Sequence, residues 1–235
     1  MANLLEQYGI KEVADVTIYD TATGEPVLFL DTLKVSTIEQ TAEQAEARGG
    51  KGNSPLIIWD YGKEITVTLE DALFSPASMA VMFGDDTGAE TVSVVTKMQK
   101  VTLTTSITSI PSGYRYYKAG TSGVGMVTAS TLDLSAGAVV YEEQTISSGV
   151  TGNKIEISAE RFPGTYKLVG DTYARNRNTG KDEYFQFIIP RAKMSSENTI
   201  TLEAEGDPSV FNMTMRVLRP DNGAMMELIQ YDIAD

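Results

Sequence analysis

The sequence has no cysteine and no histidine in 235 residues. The missing cysteine excludes a disulfide framework, a thiolate metal site and a cysteine nucleophile. The missing histidine excludes a Ser-His-Asp triad, an imidazole general base and an imidazole metal ligand. Basic charge is also scarce. Nineteen lysines and arginines stand against 32 aspartates and glutamates, a formal net charge of −13. That balance argues against a protein that grips a nucleic-acid backbone, which needs a basic stripe. No apolar run approaches the roughly 18 residues of a membrane-spanning helix. The opening residues, Met1 to Gln7, show neither a basic flank nor the apolar core of a secretion signal. The expectation is therefore a protein made in the cytoplasm, with no membrane partner.

What is present is the composition of a globular protein, 42% hydrophobic and 22% charged. The length fits one large all-β domain or two smaller ones. The acid excess is spread evenly: residues 1–120 carry 16 acidic and 9 basic side chains, and residues 121–235 carry 16 and 10. Such a charge keeps a protein soluble. It also suits a surface along which DNA must pass without sticking.

Most of the chain alternates with period two, the mark of antiparallel strands with one buried face. Ile65, Val67 and Leu69 alternate with Glu64, Thr66, Thr68 and Glu70; Phe211, Met213, Met215 and Val217 alternate with Asn212, Thr214 and Arg216. The pattern predicts strands over 13–19, 27–40, 55–60, 63–71, 91–109, 125–132, 138–144, 154–158, 165–173, 183–189, 199–205 and 210–218. Turn residues punctuate them, among them Thr23-Gly24-Glu25-Pro26, Tyr61-Gly62 and Asn178-Thr179-Gly180. One helix is predicted over 76–83, from an N-cap Ser75, Pro76 at the first helical position and Gly84 just beyond the end. Residues 40–47 have helix propensity without large apolar side chains and read as a polar extension or a loop.

None of the candidate chemistries matches its required spacing. Arg48-Gly49-Gly50-Lys51-Gly52-Asn53 lacks the G-x-x-x-x-G-K-[ST] order of a phosphate loop, and reads as a glycine-permissive loop. The acidic pairs Glu70/Asp71, Asp85/Asp86, Glu142/Glu143, Asp182/Glu183 and Glu203/Glu205 are expected by chance among 32 acids. Asp85-Asp86-Thr87-Gly88 lacks the ligand series of a calcium loop and reads as a solvated turn. Tyr114, Tyr116 and Tyr117 beside Arg115 and Lys118 suit an edge strand or a subunit contact better than stacking on bases or sugars. Arg175 and Arg177 sit in a polar turn able to bridge to a neighbouring subunit. Trp59, in the run Leu56 to Trp59, reads as core. No cofactor and no catalytic residue is expected.

Three stretches carry a family resemblance. The first comprises Arg48 to Asn53, Trp59 to Ile65 and Leu69 to Ser75. The second is Phe162-Pro163-Gly164-Thr165-Tyr166-Lys167-Leu168 with Gly170-Asp171-Thr172. The third comprises Ile189 to Lys193, Leu202 to Pro208 and Phe211 to Met213. Together the chain resembles bacteriophage tail tube (major tail) proteins. The resemblance implies an all-β fold with one short helix, an antiparallel β-sandwich or barrel in a single domain over 1–235. It further implies hexameric rings that stack into a tube, conduct DNA during ejection and join other tail proteins in the virion. On this chain it makes 41–54 the ring-stacking loop, with Arg48, Gly49, Gly50 and Lys51 as its contact. Helix 76–83 becomes the flanking helix and 111–150 an inserted hairpin region. Glu39, Glu64 and Glu70 become lumen candidates, and Tyr114, Tyr116, Arg175 and Arg177 inter-subunit candidates. Two other classes remain open: an immunoglobulin-like or lectin-like β-sandwich that recognises a surface, and a hydrolase using two carboxylates.

Overall fold

The computed structural model describes residues 6–85, 90–120, 123–125, 134–200 and 210–232. The chain divides into two compact units: Met1–Ala89 with Ile155–Asp235, and Glu90–Lys154 between them. Where the sequence suggests one domain with an insertion at 111–150, the second unit thus begins earlier and ends later. In chain order the elements are β1 (Tyr8–Ile10), β2 (Asp15–Asp20), β3 (Pro26–Leu30), β4 (Leu33–Gly49), β5 (Ser54–Asp71) and α1 (Pro76–Phe83). The second unit supplies β6 (Glu90–Val92), β7 (Val95–Thr102), β8 (Tyr114–Gly120), β9 (Gly123–Gly125), β10 (Val139–Ile146) and β11 (Gly152–Lys154). The first unit resumes with β12 (Thr165–Asn176), β13 (Asp182–Met194), β14 (Phe211–Val217) and β15 (Glu227–Tyr231). Of the strands predicted over 125–132 and 199–205, residues 126–132 and 201–205 lie outside the described residues, as do Asp86, Glu203 and Glu205.

The first unit is a nine-stranded antiparallel sheet in the order β3-β2-β12-β13-β14-β5-β4, with β1 on β12 and β15 on β13. Its two ends are one run of chain: only Asp31 and Thr32 separate β3 from β4. So short a link forces the sheet to curl, though its ladder does not close. Thr32 fixes the crossing, its hydroxyl donating to the Asp71 carboxylate at 2.5 Å and its carbonyl accepting from Ala72 N–H at 3.2 Å. Curling brings inward residues from both ends into one core: Val16, Ile18 and Leu30 with Val67, Leu69, Leu168, Ile189, Met213 and Met215. Gly170 leaves room for the Phe187 ring, which a Cβ there would meet at 2.2 Å.

Helix α1 spans the predicted residues. Ser75 Oγ accepts from Ser78 N–H at 3.0 Å, and Ser78 Oγ accepts from Ser75 N–H at 2.9 Å, a reciprocal cap. Its Met82 enters the core, with Val81 and Phe83 partly buried beside it. At eight residues it depends on that packing.

In the second unit β7-β10-β8-β9 form one sheet and β6 pairs with β11. Its core of Leu103, Tyr116 and Val140, flanked by Val101, Ile107, Tyr114 and Leu134, shares no residue with the first.

Candidate assembly surfaces

The segment expected to be loop 41–54 is instead a β-hairpin arm. β4 continues to Gly49, β5 starts at Ser54, and Gly50, Gly52 and Asn53 adopt positive φ in the turn between them. Tyr61-Gly62, read as a turn from sequence, lies inside β5. Gly62 takes φ 61° where the register slips between Thr41 and Glu43. The glycine absorbs the extra residue as a bulge, which bends and twists the pair. Burial stops there: Ile65, Val67 and Leu69 are buried, whereas Leu56, Ile57, Ile58, Trp59 and Tyr61 are each more than half exposed. From Thr41 to Gly49 the arm extends about 26 Å.

Register assigns the arm's faces. Ile57, Trp59 and Tyr61 stand opposite Ala47, Ala45 and Glu43, so one face is apolar save for a single carboxylate. Ile58 and Asp60 stand opposite Glu46 and Gln44 on the other. Trp59 is therefore not core. The expectation failed because a run of four apolar residues looks the same whether the partner is in the same chain or outside it. The useful signal was the run's position, opposite a stretch with alanines and no large apolar residue. At the tip Arg48 pairs with Glu46 of its own strand, while Lys51 is exposed.

Glu39, Glu64 and Glu70 fall on a single outward face, because Glu39 opposes Thr66 and Thr41 opposes Glu64. Thr37, Thr68, Asn212 and Thr214 share that face. So does Arg216, whose guanidinium pairs with Glu64. Further along the same sheet Tyr173, Tyr184 and Tyr231 form an aromatic ladder with centroid separations of 5.1 and 5.2 Å. Sequence reading missed it, since the three rings come from three separate strands.

Arg175 binds both carboxylate oxygens of Asp182, at 2.6 and 2.7 Å, across the β12–β13 hairpin. That hydrogen bonding holds the Asp182 carboxyl below its usual range and raises the arginine. The pair is exposed, so its worth is small. Arg177 donates to the Gln7 side chain, and its backbone N–H donates to Gln7 O at 2.8 Å. Asp85, read as part of a solvated turn, is buried. It accepts from Arg161 Nη1 at 2.8 Å and from Glu156 N–H at 3.0 Å.

Tyr116 and Tyr114 were expected at a subunit boundary. Tyr116 is instead buried in the second unit's core, against which Tyr114 packs, the rings 6.3 Å apart. The Tyr116 hydroxyl donates to Glu142 at 3.1 Å, and Gln99 donates to the other oxygen at 3.0 Å. Burial first, then this hydrogen bond, pushes the Tyr116 phenol from 10 up to about 12. A raised folded-state pKa gives stability that is full below the unfolded value and lost as pH rises through the folded one. The second unit should therefore lose stability between pH 10 and 12, read as a falling denaturation midpoint by circular dichroism. Tyr116→Phe should flatten that slope, and an unchanged slope would refute the assignment.

Against this geometry the chain was compared with known proteins. It is 28% identical over 213 residues to a protein named "Tail tube protein" from Bacillus phage SPR, covering 83% of this chain and 78% of that one. The YomU/Tube protein family matches residues 8–230. The chain belongs to the YomU/Tube protein family.

Proposed function

We propose that the chain is the structural subunit of a phage tail tube, built as stacked hexameric rings and devoid of catalysis. The observation that carries this reading is the hairpin arm, whose apolar face of Ile57, Trp59 and Tyr61 is exposed and finds no cover among the described residues. Left in water, such a surface and a long unpaired edge are aggregation hazards; in an ordered assembly they are contacts. Among the described residues β4 pairs with β5 on one side only, so its other edge suits sheet extension by a ring neighbour.

Within this reading the tip residues Arg48, Gly49, Gly50 and Lys51 meet the next ring. Arg48 holds its charge on Glu46, so Lys51 is the tip's outward cation. The threonine-rich face of Glu39, Glu64 and Glu70 lines the lumen, with Arg216 offsetting Glu64. Like charge at the wall limits adhesion of DNA, over a range of about 8–10 Å in physiological salt. Arg175 and Arg177 serve lateral contacts. The subunit is made in the host cytoplasm and resides in the virion tail with other tail proteins. Purified protein examined by negative-stain microscopy should show rings or hollow tubes. Persistent monomers at high concentration would reject the reading.

A further inference from the structure

We infer that the arm of one copy lands on the opposite end of the next copy's first unit, with Trp59 seated in the recess between α1 and Phe162–Tyr166. The inference rests on the tube reading and names the surface that receives the arm. Strand sense locates that surface. β5 runs from the arm to Asp71, and alternation along the antiparallel path gives β13 and β2 the same sense. Asp71, Met194 and Asp20 therefore close the end away from the arm. There a recess of about 390 Å³ is lined by Val27, Ala77, Val81, Phe162 and Tyr166, among others. Phe162 is exposed, as are Leu73 and Phe74 just past β5.

Charge agrees with this pairing. With Arg48 paired to Glu46, the arm tip presents Lys51 as its outward cation, while the β2–β3 turn, 20–25, carries Asp20 and Glu25 and no base. Asp20 is held ionised by the Thr23 and Ala22 N–H groups that donate to it at 2.8 and 2.7 Å. The two apolar surfaces are different and lie at opposite ends of one subunit. Joining them generates an open head-to-tail stack, whereas arms that paired with one another would stop at a dimer.

Trp59 is the sole tryptophan, so its emission reports the contact directly. The full-length protein should show a blue shift on assembly. Phe162→Asp, folded by circular dichroism, should show neither the shift nor tubes. Normal assembly of Phe162→Asp with a normal shift would overturn the landing site and leave the arm reading intact. Parent tubes that form without a shift would overturn both. The absence of cysteine allows a second test that does not depend on Phe162→Asp folding. The double variant Ile57→Cys with Phe162→Cys, assembled and mildly oxidised, should give a ladder of disulfide-linked multimers on denaturing gels. The single variants should give no such ladder. Tubes of the double variant that yield only monomer would also overturn the inference.

Discussion

Trp59→Asp should abolish tube assembly while moving the subunit's melting temperature by no more than about 2 °C. The two halves follow from one fact, that Trp59 is 53% exposed in the subunit and contacts no core. Substitutions at such positions change stability by about 0.5 kcal/mol or less, which for a domain of this size is a degree or two. Assembly is different. Burying a large apolar side chain contributes about 1.5–3 kcal/mol, and each arm presents Ile57, Trp59 and Tyr61 together. A carboxylate in the middle of that face loses the burial and must also be desolvated without a partner. Asp60→Asn, on the opposite face, should leave tubes normal. Negative-stain microscopy and thermal melts read both halves. Tubes of normal length from Trp59→Asp would refute the arm as the stacking element.

Gly84→Ala should cost about 3 kcal/mol, a fall of roughly 10 °C in the melting temperature of the first unit. Gly84 ends α1 at φ 73°, where any Cβ is strained by about 1 kcal/mol. Strain is the smaller part. A Cβ there would lie 2.4 Å from the Phe162 carbonyl carbon and 2.6 Å from both its oxygen and Pro163 N, all of them backbone. Main chain cannot rotate aside as a side chain can. The Phe162 segment is also anchored nearby, through Arg161 on the buried Asp85. Gly24 isolates the strain contribution, because it has φ 74° and nothing within 4 Å of a Cβ. Gly24→Ala should cost only about 1 kcal/mol. Equal losses at the two positions would show that collision plays no part.

The parts of the fold legible in sequence are those whose cause is local. Ser75, Pro76 and Gly84 define α1 because caps act within one turn. Ile65, Val67 and Leu69 announce a strand because their alternation is answered by burial in the same subunit. Three features were hidden, two of them because their partners lie far along the chain or outside it. The apolar run from Leu56 to Trp59 has no cover among the described residues to reveal its face. Gly62 signals a departure from regular backbone, but a bulge and a turn require the same residue there. Tyr116 looked like a contact because Glu142, 26 residues away, could not be known as its partner. The limits of the second unit depend on β6 and β11, three residues each, too short for any periodicity. Among the site residues, the shared face of Glu64 and Glu70 follows from alternation within one strand, whereas placing Glu39 with them needed the β4–β5 register and the pairing of Glu64 with Arg216 needed the sheet order.

The pairing of β6 with β11 has a practical consequence. Glu90 and Lys154 are register partners, so the two ends of the second unit lie about 5 Å apart. Neither core contains a residue of the other. Those are the conditions under which a host domain tolerates a foreign guest, provided the guest's own termini are neighbours. Residues 90–154 thus mark a grafting position. An enzyme or antigen placed there would be carried once per subunit.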